Sequence, residues 1–329
     1  RVLFRSRLLT SRDATNGDDQ VNSHTRPRMI LDCDPGVDDA IAIITAARWA
    51  DLVGITTVAG NVSGAQTCAN AMRLRTLLGL DIPIHRGADG PMAGDLEDAS
   101  HVHGADGLAG VDLPEADGEP DSADAVEYLV ETTRAEEGLH LVPIGPLTNI
   151  ALALRADPGL AHRVASITLM GGGAGSGNVT AAAEFNIYVD PEAADIVFRS
   201  GGPVHMIGLN LTNQVRMGPD HATTCREMGT PVGDFATHLL DHLIDIHFQW
   251  EGSDTSAMHD PSAILTVTHP HLIRSEPRTV VVELDGTHTR GQTLVDERGP
   301  AAGEPSCRVG YGVDVDSAVD LIMTAIREA

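Results

Sequence analysis

Four aspartates fall within eight positions of the segment Met29-Ile30-Leu31-Asp32-Cys33-Asp34-Pro35-Gly36-Val37-Asp38-Asp39-Ala40. Two carboxylates about 4 Å apart repel by roughly 1 kcal/mol in water and about 4 kcal/mol at an effective dielectric of 20. A group of this kind calls for a hard, oxygen-seeking cation, Ca²⁺ or Mg²⁺. Pro35-Gly36 supplies a tight turn that carries Asp38 and Asp39 back toward Asp34. Helix capping alone would need one acid, and four are present.

The elements around this group must place it at a strand end. An apolar run leads into Asp32, and a helical pattern starts at Asp39-Ala40-Ile41. Strand-like runs at Leu52–Val58, Leu139–Ile144, Ser166–Met170 and Val204–Leu209 then alternate with helical patterns at Gly64–Leu78 and Thr148–Arg155 and a capped start at Asp190-Pro191-Glu192. Such alternation predicts an α/β class, a single-domain open and mainly parallel (mixed) sheet flanked by helices. Ligands of such sheets sit beyond the carboxyl ends of the strands. Toward the end, Thr279–Leu284 and Gln292–Val295 predict a hairpin, and Asp316–Arg327 a last helix.

Composition narrows the partners. The chain has 329 residues, 42% of them apolar, which suffices for a sizeable core. Its net charge is −25 and all 22 basic residues are Arg, so the basic footprint that nucleic acid or an anionic membrane requires is missing. No apolar run approaches the ~18 residues of a membrane span. Cys33, Cys68, Cys225 and Cys307 are scattered without a CxxC pair, which fits a reducing cytoplasm. Residues 1–28 lack periodicity and are expected to form a tail or upstream extension, with the folded domain at 29–329.

Two stretches have the character of lids. Residues 87–118 are long, acidic and irregular, and residues 239–258 carry a helical pattern that ends near Trp250. His238 and His242 have the spacing of helical metal ligands, which among 15 histidines is best taken as coincidence.

The opening motif Asp32-Cys33-Asp34-Pro35-Gly36-Val37-Asp38-Asp39 resembles the signature of the inosine-uridine preferring nucleoside hydrolases. Further segments match in order: Val58-Ala59-Gly60-Asn61-Val62, Pro143-Ile144-Gly145-Pro146-Leu147-Thr148-Asn149, Gly177-Asn178-Val179-Thr180 running on to Ala183-Glu184-Phe185-Asn186, and Met258-His259-Asp260-Pro261. The resemblance implies a Rossmann-like nucleoside hydrolase fold and Ca²⁺-dependent hydrolysis of the N-glycosidic bond of ribonucleosides, serving salvage. It assigns Asp34, Asp39, the Ile144 carbonyl and Asp260 to the metal, and Asp34 to proton abstraction from the attacking water. By the same resemblance Asp38, Asn61, Asn178, Glu184, Asn186 and Asp260 meet the sugar. His259 faces the nucleobase as a proton donor, with His103 and His247 as further base-side candidates. A homodimer or homotetramer is implied as well.

Taken one by one, these residues have plainer explanations. Asn61 and Asn178 suit turns, Asp260 before Pro261 suits a helix cap, and Glu184 and Asn186 on an apparent strand would face solvent. Aromatics are only 3% of the chain, and the second lid-like stretch offers Phe248 and Trp250 for stacking. Two alternatives stand beside the hydrolase. One is a Mg²⁺-dependent phosphatase of the haloacid dehalogenase type, which also opens on a strand ending in Asp-x-Asp. The other is a nucleoside-binding protein without turnover.

Overall fold

A computed structural model describes residues 26–299 and 303–329, the side chain of Glu251 excepted. Most of the expected tail lies outside the described residues, and Arg28 already opens the first strand. Along β1 (Arg28–Cys33), Met29, Leu31 and Cys33 enter one apolar layer and Ile30 enters the other. A strand buried on both faces belongs at the centre of a sheet covered on both sides.

Around it lie β2 (Asp51–Thr57), β3 (Ile84–Arg86), β4 (His140–Pro143), β5 (Ser166–Met170) and β6 (Val204–Ile207). Two short strands follow, β7 (Arg216–Met217) and β8 (Ser256–Ala257), then β9 (Ile273–Arg278), β10 (Val280–Val282), β11 (Thr293–Val295) and β12 (Cys307–Val313). The main sheet runs β3-β2-β1-β4-β5-β6-β12-β9. Every neighbouring pair is parallel except β12 with β9, so the expected mixed, mainly parallel sheet is found. The expected hairpin is β10 with β11, and the last helix spans Val315–Glu328.

One apolar layer packs the helices Val37–Trp49, Pro231–Glu251, His259–Thr268 and Val315–Glu328 against the sheet. The other packs Ala125–Ala135, Thr148–Ala156 and Pro191–Phe198. No helix among the described residues is long and apolar enough to cross a membrane. The four cysteines are buried and unpaired.

The direction of strand addition reverses between β1 and β4, which opens a crevice at their carboxyl ends. Asp32, one of the four clustered aspartates, is anchored beneath that crevice through one oxygen, its Oδ2 being buried without a hydrogen-bond partner. Its Oδ1 accepts from Thr56 Oγ1 (2.6 Å) and Asn149 Nδ2 (2.7 Å), while Asn149 also donates to the Thr57 carbonyl (2.9 Å) and accepts from the Ala88 amide (2.9 Å). Burial pushes the Asp32 carboxyl up to about 7, against the pull of these hydrogen bonds. The residue stitches β1, β2 and the helix Thr148–Ala156 together beneath the crevice. Asn149→Ala strips partners from several buried groups at once. It is expected to lower stability by about 2–3 kcal/mol, read as a shifted urea midpoint at unchanged m-value; a loss below about 0.5 kcal/mol would assign the network no structural weight.

Candidate active site

Asp34 is the first residue beyond β1, and Pro35-Gly36 turns the chain into the helix Val37–Trp49. Asp39 reaches back over that turn. Its Oδ2 accepts from the Gly36 amide (3.0 Å) and from Asn61 Nδ2 (2.9 Å), and its Oδ1 from the Asp34 amide (3.2 Å). A helix N-terminus is where a carboxylate is best tolerated. Gly36 is required by crowding, since a Cβ there would lie 2.6 Å from Asn61 Nδ2 and 2.7 Å from His103 Nδ1.

Asp34 is enclosed as tightly. Its Oδ2 accepts from the Asn61 amide (2.7 Å), whereas Oδ1 is buried without a hydrogen-bond partner. A Cβ on Gly60 would lie 2.1 Å from Oδ2, and one on Gly145 would lie 2.4 Å from Oδ1. Asp260, in the first turn of the helix His259–Thr268, arrives from the far end of the chain. One oxygen from each of Asp38, Asp39 and Asp260 lies within 4.8 Å of the others.

Burial pushes all of these carboxyls up. Asp38 reaches about 7 with the charge of Asp39 adding to desolvation, and Asp39 reaches about 6 despite its backbone hydrogen bonds. Asp34 and Asp260 move well above the usual carboxylate range, again through desolvation first and then the neighbouring aspartates. Amides relieve them in part, as at Asp39 and Asp34. A set made solely of oxygens, with one orphaned buried carboxylate oxygen and raised acids, fits a hard divalent cation. The Ile144 carbonyl, just past β4, lies on the same cavity and accepts from Asn186 Nδ2 (2.8 Å).

The cavity encloses about 740 Å³. Asp38, Asn61, His103, Ile144, Asn178, Glu184, Asn186, His259 and Asp260 all line it, so the structure brings nearly every residue singled out in the sequence to one place. Asp34 and Asp39 sit almost fully buried behind that lining. Two details differ from expectation. Asp38, assigned to the sugar, joins Asp39 and Asp260 in the trio whose oxygens lie within 4.8 Å of one another, a trio that does not include Asp34. Glu184 and Asn186 are not on a strand: Glu184 caps the helix Phe185–Val189, and Asn186 lies inside it. The Glu184 carboxylate accepts from the amides of Gly172 (2.8 Å), Asn186 (3.0 Å) and Ile187 (3.2 Å), and burial pushes it up to about 7. Pattern alternation misled here because polar Glu184 and Asn186 flank apolar Phe185 in sequence as on a strand, whereas the cap and first turn bury Glu184, Asn186 and Ile187 together.

Asn61 spends its amide nitrogen on the Asp34 carbonyl (3.1 Å) and Asp39, so it braces the acids as well as lining the cavity. Asn178 Oδ1 accepts from the Phe185 amide (3.0 Å). Asp260 does not cap its helix, whose N-cap is Met258. His259 Nδ1 is hydrogen-bonded to Thr212 Oγ1 at 2.7 Å. Burial, followed by the charges of His247 and Arg216, lowers its ring to about 4, away from the near-neutral titration that a histidine of ordinary environment shows. His103 Nδ1 accepts from the Val37 amide (3.1 Å), which fixes the neutral ring with its proton on Nε2; burial holds it down to about 3.

His238 and His242 bind no common ion. Each donates from Nε2, to the carbonyls of Ala109 (2.9 Å) and Val102 (2.7 Å), and so ties the irregular stretch to the helix Pro231–Glu251. On that helix Leu243, His247 and Trp250 line the cavity at successive turns. Asn149, which closes one of the motifs, anchors Asp32, and two residues absent from the sequence argument also matter: Arg216, and Asn70, whose Nδ2 holds the Pro35 (3.0 Å) and Asp106 (2.8 Å) carbonyls. No local pattern signals them, because their partners are distant in sequence.

An eight-stranded open sheet with an acidic cleft of about 740 Å³ at its reversal point is the architecture of an α/β enzyme that binds a small polar substrate. The sequence profile of the inosine-uridine preferring nucleoside hydrolases matches residues 29–320, and the chain belongs to that family of N-glycosyl hydrolases acting on ribonucleosides. A protein named pyrimidine-specific ribonucleoside hydrolase RihA from Shewanella woodyi is 41% identical over 308 residues, covering 92% of this chain and 98% of that one. Among solved structures, a purine-preferring ribonucleoside hydrolase from Gardnerella vaginalis superposes with TM-score 0.87 at 33% identity, over 92% of this chain and 98% of that one. The plant nucleoside hydrolase PpNRh1 gives TM-score 0.87 at 31% identity, over 92% and 100%.

Gly145→Ala places a methyl group against Asp34 Oδ1. It is expected to cut kcat by about 10²-fold or more, as misplacement of a reacting group by about 1 Å does, with the circular dichroism spectrum unchanged. Full activity in that variant would show that Asp34 has room to move and needs no fixed position.

Proposed function

We propose that the protein is a Ca²⁺-dependent ribonucleoside hydrolase that prefers pyrimidine ribonucleosides and releases ribose and the free base for salvage. One observation carries this reading: buried, uncompensated carboxylates from both ends of the chain meet on the cavity that the polar wall of Asn178, Glu184 and Asn186 shares. The pyrimidine preference draws support from the name of the 41% identical relative.

Asp34, Asp39, the Ile144 carbonyl and Asp260 would hold the cation, with Asp38 near enough to join them. When bound, a hard divalent ion supplies positive charge that keeps these acids ionised and acidifies a neighbouring water. Asp34 then takes the proton of the attacking water through Oδ1, the oxygen left free by Asn61. Asp38, Asn178, Glu184 and Asn186 fix the ribose hydroxyls, and Asn61 contributes its Oδ1. His103 presents Nε2–H toward the base, and His259 serves as a hydrogen-bonding partner there. Water forms the new bond to C1′ as the C1′–N bond breaks. The same reading includes a homodimer or homotetramer and a cytoplasmic setting, to which the four unpaired thiols are suited.

A reducing-sugar assay over uridine, cytidine, inosine, adenosine and guanosine, with and without chelator, tests the reading. Uridine and cytidine should be cleaved fastest, and chelator should abolish turnover until Ca²⁺ is restored. Purines cleaved first would reverse the base preference, and phosphate released from a nucleotide without free base would favour the phosphatase. Asp34→Ala should lower kcat by about 10³-fold or more while leaving the fold intact, a loss on the scale of the 10²–10⁴-fold effects of general bases. Near-normal kcat would remove Asp34 from that role.

A further inference from the structure

In a chain with 47 acidic and 22 basic residues, one arginine among the described residues lines the catalytic cavity, Arg216. Its hydrogen bonds among the described residues go to uncharged groups: Nε donates to Thr255 Oγ1 (2.8 Å), and one terminal nitrogen donates to Ser253 Oγ (3.1 Å) and to the Thr255 carbonyl. The other terminal nitrogen has no partner among the described residues. Most ion-paired arginines sit at the surface, as Arg226 with Asp241 and Arg274 with Glu276. Arg216 keeps its charge uncommitted and half-buried beside an acidic centre.

Strand pairing explains how it is aimed. In the short ribbon of β7 and β8, Arg216 lies opposite Ala257 and Met217 opposite Ser256. Met217 is fully buried, so alternation turns Arg216 to the other face, over the cavity. Ala257 is two residues before His259 and three before Asp260. Register alone therefore brings the guanidinium to the side of the cavity where His259 stands.

We infer that Arg216 is a further catalytic residue, which contacts the departing nucleobase and takes up the negative charge that develops on it. The inference rests on the proposed hydrolysis. As the water oxygen bonds to C1′, the C1′–N electron pair stays on the base nitrogen, the water proton passes to Asp34, and the released base later takes a proton from solvent. An anion leaving a cleft floored by carboxylates is repelled unless a cation faces it. Arginine stays charged at any working pH, and the terminal nitrogen left without a partner among the described residues can donate to a carbonyl oxygen onto which the charge of a departing pyrimidine spreads. Fixed charge aimed where charge develops is commonly worth about 10²–10³-fold in rate.

The test compares Arg216→Met, Arg216→Lys and Ser253→Ala with the wild type on uridine, 5-fluorouridine and 4-nitrophenyl ribofuranoside, whose leaving groups are progressively better. Arg216→Met should lower kcat on uridine by about 10²-fold, less on 5-fluorouridine, and least on the nitrophenyl substrate. Arg216→Lys should recover most of the loss and show a leaving-group dependence between the two. Ser253→Ala, which removes an anchor but keeps the charge, should retain the wild-type dependence. Equal losses on all three substrates, no loss at all, or Ser253→Ala reproducing the graded pattern would overturn the inference. Should Arg216→Met fail to fold, Arg216→Lys decides, since a dependence no steeper than wild type also refutes it. Wild-type protein that cleaves no ribonucleoside would take down the proposed reaction and this inference together, whereas turnover without the graded loss takes down only the latter.

Discussion

Like charge forced together and kept from water is the constraint around which this molecule is arranged. Burial raises the proton affinity of Asp34, Asp38, Asp39 and Asp260, the charge of Asp39 adds to it at the other three, and amides that donate to Asp34 and Asp39 work against it. Such a cluster survives folding because the surroundings over-determine it. The glycines at 36, 60 and 145 let neighbouring chain approach closer than any side chain allows. The helix start at Val37 lends its amide dipoles, and Asn61 bridges Asp34 to Asp39. The sheet reversal between β1 and β4 leaves open the crevice in which this happens.

Long-range closure has the same origin. Asp260 must travel more than two hundred positions to meet Asp38 and Asp39, and the helix that carries it packs directly on the helix Val37–Trp49 within an apolar layer that holds both Ile264 and Ile41. The core is therefore also the clamp of the site. Beneath it, the Asp32–Asn149 junction holds three elements in register, so that an acid of the opening motif serves architecture instead of chemistry.

Much of this was legible in the sequence. Strand and helix alternation gave the class, and residues 166–170 were bounded as found, because buried parallel strands are short, apolar and β-branched. The ordered motifs led to eight residues that share one cavity, and the irregular acidic stretch added His103. What escaped has a physical reason in each case. The strand Cys307–Val313 mixes glycine, arginine and tyrosine and shows its place only once it pairs β6 on one side and β9 on the other. Glu184 and Asn186 imitate a strand where a cap begins a five-residue helix. His238 and His242 carry a metal-like spacing that geometry spends on two carbonyls. Arg216 reads as one arginine among 22 until strand register sets it over the cleft.

The cavity is assembled from two kinds of material. Its acidic floor is made by strand ends and helix starts locked inside the core, whereas the opposite wall comes from the last turns of the helix Pro231–Glu251 and the irregular stretch tied to it, with Trp250 56% exposed. Substitutions at exposed positions of that wall such as Trp250 disturb little packing, and those in the floor strike buried groups. Preference for one base or another is thus free to drift among descendants of a common ancestor while bond-breaking stays fixed, an evolvability written into the division of labour between core and rim.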